Sequence, residues 1–124
     1  MSGDAVPPRR PELSFAGFES VDMRVGRVLS AEMAVGTRAP SRILRVDLGP
    51  LGTVQSVGQL ALVPEAELVG RNVVVCVNLG ARRIGRYVSE ALVLGVPHPG
   101  SPEGQAQATP LYVDGGAEAG SQVF

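Results

Sequence analysis

The sequence predicts an all-β protein, a small closed barrel of five main strands with one short helix between strands three and four. Three observations carry this expectation. Five segments of strand length are either alternating or wholly apolar, the pattern of half-buried and fully buried strands. Sharp turns built on glycine and proline separate them. Only one stretch between strands, Pro64–Gly70, carries helix signals, with proline near its start, acids in its first turn and glycine after its end. Many short strands with sharp turns and little helix suit a small barrel.

Residues 1–14 contain Pro7, Pro8 and Pro11 with Arg9 and Arg10, a mix that cannot pack a core. They read as a flexible N-terminal arm, and residues 15–124 as one domain with terminal extensions. Phe15–Ser20 reads as a helical turn. Val21–Glu32 is the first strand; its apolar phase switches from Met23 and Val25 to Val28 across Gly26, which places a bulge or bend at that glycine. Arg24 and Arg27 are expected to face outward. Arg42–Leu48 alternates, with Leu44, Val46 and Leu48 inward and Ile43, Arg45 and Asp47 outward. Thr53–Val57 is the third strand. Val73–Val77 and Ala91–Val96 are the apolar fourth and fifth strands, apolar enough to require burial. Pro97–Pro110 is a loop, and Leu111–Val113 and Ser121–Phe124 are short closing strands.

Composition narrows the function. The chain has 124 residues, 44% of them hydrophobic, so it can bury a modest core and is not disordered as a whole. Aromatic residues make up 4% and tryptophan is absent, which argues for an aliphatic core and against a binder built on stacking platforms. There is no stretch of apolar residues long enough to span a membrane and no secretory leader, so no membrane insertion is expected. The single cysteine, Cys76, excludes an intramolecular disulfide and fits a reducing cytoplasm.

The net charge of −1 hides an uneven distribution. Residues 1–96 hold all 11 arginines against nine acids, while residues 97–124 hold Glu103, Asp114 and Glu118 and no base. Three of the arginines, Arg82, Arg83 and Arg86, stand between the fourth and fifth strands. Spacing alone reads as a hairpin with a solvated loop. Catalysis has no support. His98 stands alone between prolines, Cys76 lies in an apolar strand, and Asp22 and Asp47 lie on separate strands. No phosphate-cradling loop or nucleophile elbow occurs. Neither a cofactor nor a metal is expected, and the chain reads as a binding protein rather than an enzyme.

Leu68–Leu79 runs Leu-Val-Gly-Arg-Asn-Val-Val-Val-Cys-Val-Asn-Leu, and Arg82–Gly95 runs Arg-Arg-Ile-Gly-Arg-Tyr-Val-Ser-Glu-Ala-Leu-Val-Leu-Gly. Together they resemble the tRNA-binding OB-fold domain family, which is appended to methionyl-tRNA synthetases and forms the stand-alone CsaA secretion chaperone. Phe18–Val28 resembles the family's opening strand, and Gln55-Ser56-Val57-Gly58-Gln59 is closest to the CsaA form. The resemblance spans roughly Phe18 to Gly95, with departures at Gly58 and at Leu79-Gly80-Ala81, where the family more usually has Phe-Pro-Pro.

The resemblance implies tRNA or structured RNA as a partner, recognised by phosphate contacts and shape. Arg82, Arg83 and Arg86 become phosphate contacts, since arginine bridges two oxygens at once. Ser89 and Glu90 either contact RNA or lock the turn before the last strand. Asn78, Gln55, Ser56 and Gln59 either read base edges or satisfy backbone groups where strands end. The alternative function is a protein-binding chaperone or export factor acting on unfolded precursor proteins. The resemblance also implies a homodimer, with Phe15, Phe18, Leu111, Val123 and Phe124 as the apolar surface to be paired.

Overall fold

The first strand dominates the topology because three other strands pair with it. A computed structural model describes residues 6–124; the expectation of a flexible arm falls partly on residues 1–5, which lie outside the described residues. Residues 6–14 are exposed and irregular up to α1 (Phe15–Glu19). Ser14 caps this helix, its Oγ accepting from the Gly17 N–H at 3.0 Å. The strands that follow are β1 (Met23–Met33), β2 (Arg42–Asp47), β3 (Thr53–Gly58), β4 (Asn72–Cys76), β5 (Arg82–Ile84), β6 (Tyr87–Ser89), β7 (Leu92–Val93), β8 (Gly95–Pro97), β9 (Ala108–Pro110) and β10 (Gln122–Val123).

The main sheet has the order β3-β2-β1-β4-β7, antiparallel throughout, with β10 paired to the start of β1. β1 is long enough to serve both halves of a barrel. Met23–Arg27 pairs with β4, and Arg27–Met33 pairs with β2. The bend between the halves is a bulge at Leu29, where the register shifts between Val28 and Ser30, not at Gly26 as the phase switch suggested. Gly26 has another reason to be glycine. A Cβ there would collide with Val46 Cγ1 and stand 2.8 Å from Val75 Cγ2, so two facing strands close over its bare backbone. The core is aliphatic, as composition required: Val28, Leu44, Val46, Leu48, Leu68, Val73 and Val75 are buried almost completely.

Two expected elements come out shorter. Pro64–Gly70 makes a single 3-10 turn, Glu65–Glu67, and the α-helix of the chain lies before β1. Too few residues separate Pro64 from Gly70 to repay the cost of helix nucleation. What matters there is Leu68, which is fully buried and plugs the barrel end. The expected fifth strand, Ala91–Val96, splits at Leu94. β7 stays on β4, while β8 leaves to pair with β9. Gly95 permits this departure, since a Cβ there would meet Thr109 O at 2.5 Å. The strand expected at Leu111–Val113 is reduced to a bridge between Tyr112 and Val73, flanked by bonds from the Val74 N–H to Leu111 O at 3.1 Å and from the Val113 N–H to Asn72 O at 2.9 Å. Arg24 does not face freely outward either. Its Nε lies 2.7 Å from Asp22 Oδ1, and its Nη1 donates to Gly120 O at 3.2 Å.

Candidate nucleic-acid interface

Antiparallel pairing gives the Leu79–Glu90 connection more order than a loose ridge. β5 and β6 form a hairpin in which Arg82 faces Ser89, Arg83 faces Val88 and Ile84 faces Tyr87. The turn is Gly85-Arg86. Gly85 supplies the positive φ, 60°, that the first central residue of a type II′ turn requires. The tip rests on the β1–β2 loop: a Cβ on Gly85 would lie 3.4 Å from both Gly36 O and Thr37 Cγ2. The Val35 N–H donates to the Tyr87 hydroxyl at 3.0 Å. That bond and the adjacent Arg86 guanidinium both favour the phenolate and hold the Tyr87 hydroxyl below its ordinary value. Arg86 also lies over the Tyr87 ring, 5.6 Å from its centroid.

Strand alternation divides the three arginines. Arg82 shares a face with Ile84 and Ser89, whereas Arg83 shares the opposite face with Val88. The hairpin is therefore a blade with cations on both sides and Arg86 at its tip, not a single row. All three are exposed, and among the described residues none has a carboxylate within ion-pair distance. Among the described residues the ion pair found is Arg24–Asp22.

The base of the hairpin is fastened to β3, and the fastening uses most of the other candidates. The Gln55 N–H donates to Glu90 Oε1 at 2.8 Å, the Glu90 N–H donates to Gln55 O at 2.7 Å, and Gln55 Nε2 donates to Val88 O at 2.9 Å. Ser56 Oγ donates to Ala91 O at 2.9 Å; the Val57 N–H donates to Ser89 Oγ at 2.9 Å, and Ser89 Oγ in turn donates to Ala91 O at 3.1 Å. Regular ladder bonding does not link β3 to β7, so these bonds form the seam that brings the barrel almost to closure. Asn78 is a staple elsewhere. Its Oδ1 accepts from the Asp22 N–H at 2.9 Å and its Nδ2 donates to Ser20 O at 2.8 Å, tying the end of β4 to the turn after α1. Five candidates, Gln55, Ser56, Asn78, Ser89 and Glu90, thus have their side chains bonded inside the protein. Gln59 is half-buried and lines a broad groove of about 1450 Å³ between the hairpin and the 95–108 segment, together with Arg82, Leu92 and Val96.

Two arginines join the surface that sequence reasoning did not nominate. Arg38 is exposed in the β1–β2 loop on which the hairpin tip rests. Arg45 is exposed on β2 directly opposite Gln55, and so beside the seam. Alternation had already turned Arg45 outward; only the cross-strand register shows what it stands next to. His98 is occupied locally, its Nδ1 accepting from the Gly100 N–H at 2.9 Å. No cluster of three or more metal-ligating side chains occurs among the described residues, and no helix is long and apolar enough to cross a membrane.

Residues 23–122 match the family described as "Putative tRNA binding domain". The chain belongs to this family. It is 36% identical over 117 residues to a methionine–tRNA ligase of Bdellovibrio bacteriovorus, a match covering 93% of this chain and 16% of the ligase. The chain thus spans about a sixth of that relative's length. Among solved structures, the chaperone CsaA from Bacillus anthracis superposes with a TM-score of 0.80 at 30% identity, covering 92% of this chain and 100% of that one. The CsaA chaperone protein from Picrophilus torridus gives 0.79 at 25% identity, covering 91% and 100%. The family placement and these neighbours identify the nearly closed five-stranded barrel as a CsaA-like OB-fold. In OB-folds generally, the face of strands two and three and the loops joining strands one–two and four–five meet oligonucleotides. Here those parts are β2 and β3, the loop with Arg38, and the hairpin with Arg82, Arg83 and Arg86.

Proposed function

We propose that this chain is an RNA-binding module that grips tRNA or another structured RNA through its phosphates and shape. The observation that carries the reading is the hairpin: three exposed arginines without a carboxylate partner among the described residues, on a blade braced at its tip by Tyr87 and at its base by Gln55 and Glu90. Bracing matters because a cation held in place loses less conformational freedom on binding than one on a loose loop. Arg38 and Arg45 extend the basic surface on either side. Ser56, Ser89, Gln55 and Glu90 act as positioning residues that hold the hairpin against the barrel, Asn78 ties the end of β4 to the turn after α1, and Gln59 is the candidate left to meet a base edge. The names of the similar ligases and of the family agree with this reading. Nothing in the geometry calls for catalysis by this domain. The test is a gel shift with bulk tRNA at low and physiological salt. A few phosphate contacts give a log–log slope of roughly −2 to −4; a flat response would remove the reading.

A second reading, a chaperone for unfolded precursor proteins, is favoured by the apolar wall of the broad groove, where Leu92 and Val96 are both about half exposed, and by the naming of the CsaA neighbours. A homodimer accompanies either reading. Phe15, Phe18, Leu111 and Phe124 are all exposed, Phe124 almost wholly, whereas Val123 is half-buried and paired with Met23. Light scattering that returned the mass of one chain at micromolar concentration would exclude the dimer.

A further inference from the structure

Beside the arginines lies a feature that phosphate binding does not use. At the base of the hairpin is an apolar pocket of about 70 Å³, with Val57 and Ala91 at its floor, Leu79, Ile84 and Leu92 in its walls, and Arg82 at its edge. The floor residues are buried, while Leu79 and Leu92 are 63% and 47% exposed. We propose that this pocket receives one unstacked nucleobase of the bound RNA, with Arg82 on that nucleotide's phosphate. The inference rests on the RNA-binding reading and deepens it, adding a contact that tells unpaired nucleotides from paired ones.

Three physical arguments lead there. The first is size and dryness. A single water needs about 10–15 Å³ by a comparable measure, so the pocket holds several. The polar side chain at its floor is already engaged, since Ser89 Oγ accepts from the Val57 N–H and donates to Ala91 O. Water held there is poorly bonded, and an apolar ring that displaces it gains free energy. The second is the lip. Leu79 and Gly80 line the pocket outside every strand and hydrogen-bonded turn, with Gly80 at φ 80°, so the lip carries backbone donors and acceptors not committed to a strand ladder. The third is charge. A nucleotide carries a flat, weakly polar ring and an anion one sugar apart, and this site pairs an apolar slot with a guanidinium that no carboxylate of the described residues neutralises. An apolar peptide side chain would fill the slot but bring nothing for Arg82. A base inside a duplex must first be unstacked and unpaired, at a few kcal/mol, whereas a base in a loop or at a strand end is already unpaired and costs least to unstack.

The experiment titrates the full chain with two RNAs carrying equal numbers of phosphates: a blunt duplex, and a hairpin with one 2-aminopurine in its loop. The fluorescence of 2-aminopurine is quenched in a stack and rises when the base leaves it. The expected result is that the hairpin binds about tenfold tighter than the duplex, the scale of one base contact, with a rise in fluorescence. Leu79→Ser removes an exposed wall and Ile84→Phe fills the slot; each is expected to abolish the preference and the fluorescence rise while leaving duplex affinity and melting temperature unchanged. Equal affinity of the parent for both RNAs, or a preference that survives both variants, overturns the pocket while leaving the RNA reading intact. Failure to bind either RNA at low salt overturns both. Release of a fluorescent apolar peptide by Leu79→Ser, with RNA binding unaffected, assigns the slot to a peptide and overturns it as well.

Discussion

The closing seam and the hairpin tip meet within a few residues of the chain, between Arg86 and Ser89, yet they treat polarity in opposite ways. At the seam, Ser56 and Ser89 are 2% and 5% exposed, and each hydroxyl is bonded to backbone across the gap between β3 and the start of β7. At the tip, Arg83 and Arg86 stand in water with no acid paired to them. Buried polar groups must be satisfied, so the seam's hydrogen bonds hold the barrel to one closure. Exposed charges contribute little to folding, so the tip is free to serve a ligand. The difference comes from the facing strand. Where β3 reaches the hairpin, a polar side chain becomes structure; beyond its reach, the arginines remain surface.

The largest effect expected from this contrast is at Ser89. Ser89→Ala leaves the Val57 N–H without its acceptor in a buried site and takes one of two donors from Ala91 O. A buried unsatisfied group costs about 1–3 kcal/mol, so urea unfolding should show a loss of about 2 kcal/mol. Ser56→Ala should cost less, because Ser89 still donates to Ala91 O. RNA affinity measured well below the melting temperature should keep its salt slope in both variants. A Ser89→Ala protein as stable as its parent would mean that the seam does not hold the barrel.

The mirror-image change is Arg82→Ala/Arg83→Ala. Stability should stay within about 0.5 kcal/mol, as for surface substitutions elsewhere, while every RNA binds more weakly and the salt slope flattens by about two units. The single variants sharpen the point. Because the two side chains leave opposite faces of β5, they should differ in which RNA they weaken: only Arg82→Ala should reduce the preference for an unpaired loop. Identical behaviour of the two single variants would reduce the blade to a diffuse charge.

Much of the architecture was legible in the residues. The alternation of Arg42–Leu48 put Leu44, Val46 and Leu48 inside, where they are. The apolar run Val73–Val77 falls largely in β4, flanked by β1 and β7, whereas the β5–β6 hairpin stands where a connection was expected. An internal role for Gln55, Ser56, Asn78, Ser89 and Glu90 was one of two readings the residues left open; their partners were not legible, because each side chain has one distant in sequence, and Asn78 and the Asp22 N–H it caps are 56 residues apart. The bulge at Leu29 escaped for the same reason, since register is a property of two strands. Gly26 attracted the bend because glycine fits both a bulge and a close packing contact, and only the facing Val46 and Val75 decide between them.

A smaller effect tests whether Asn78 belongs with the seam or with the tip. Asn78→Ala removes the acceptor of the Asp22 N–H and the donor to Ser20 O, both in an exposed setting where water can replace them. A loss of about 1 kcal/mol in thermal or urea unfolding is expected, with unchanged discrimination between tRNA and an unrelated hairpin. A loss of discrimination at full stability would return Asn78 to the RNA surface.

The smallest effect concerns Tyr87, the residue that belongs to both regions, since its strand leads into the seam and its hydroxyl braces the tip. Tyr87→Phe removes the acceptor of the exposed Val35 N–H, and at neutral pH only a slight fall in melting temperature is expected. The pH dependence is more telling. The Val35 N–H and the Arg86 guanidinium lower the folded-state value of the hydroxyl below that of the unfolded chain, about 10. A group depressed in this way adds stability as pH rises through its folded value, reaches its full contribution above the unfolded value, and adds none at lower pH. The gap in melting temperature between parent and Tyr87→Phe should therefore widen between pH 8 and pH 10.5, a window set by the unfolded value of about 10. Arg86→Ala should reduce that widening, because the guanidinium is the second cause of the shift, while the Val35 contact preserves the rest. A gap that stays constant with pH would detach the hydroxyl from Val35 and Arg86 and leave the tip braced by the Gly85 contact with the β1–β2 loop alone.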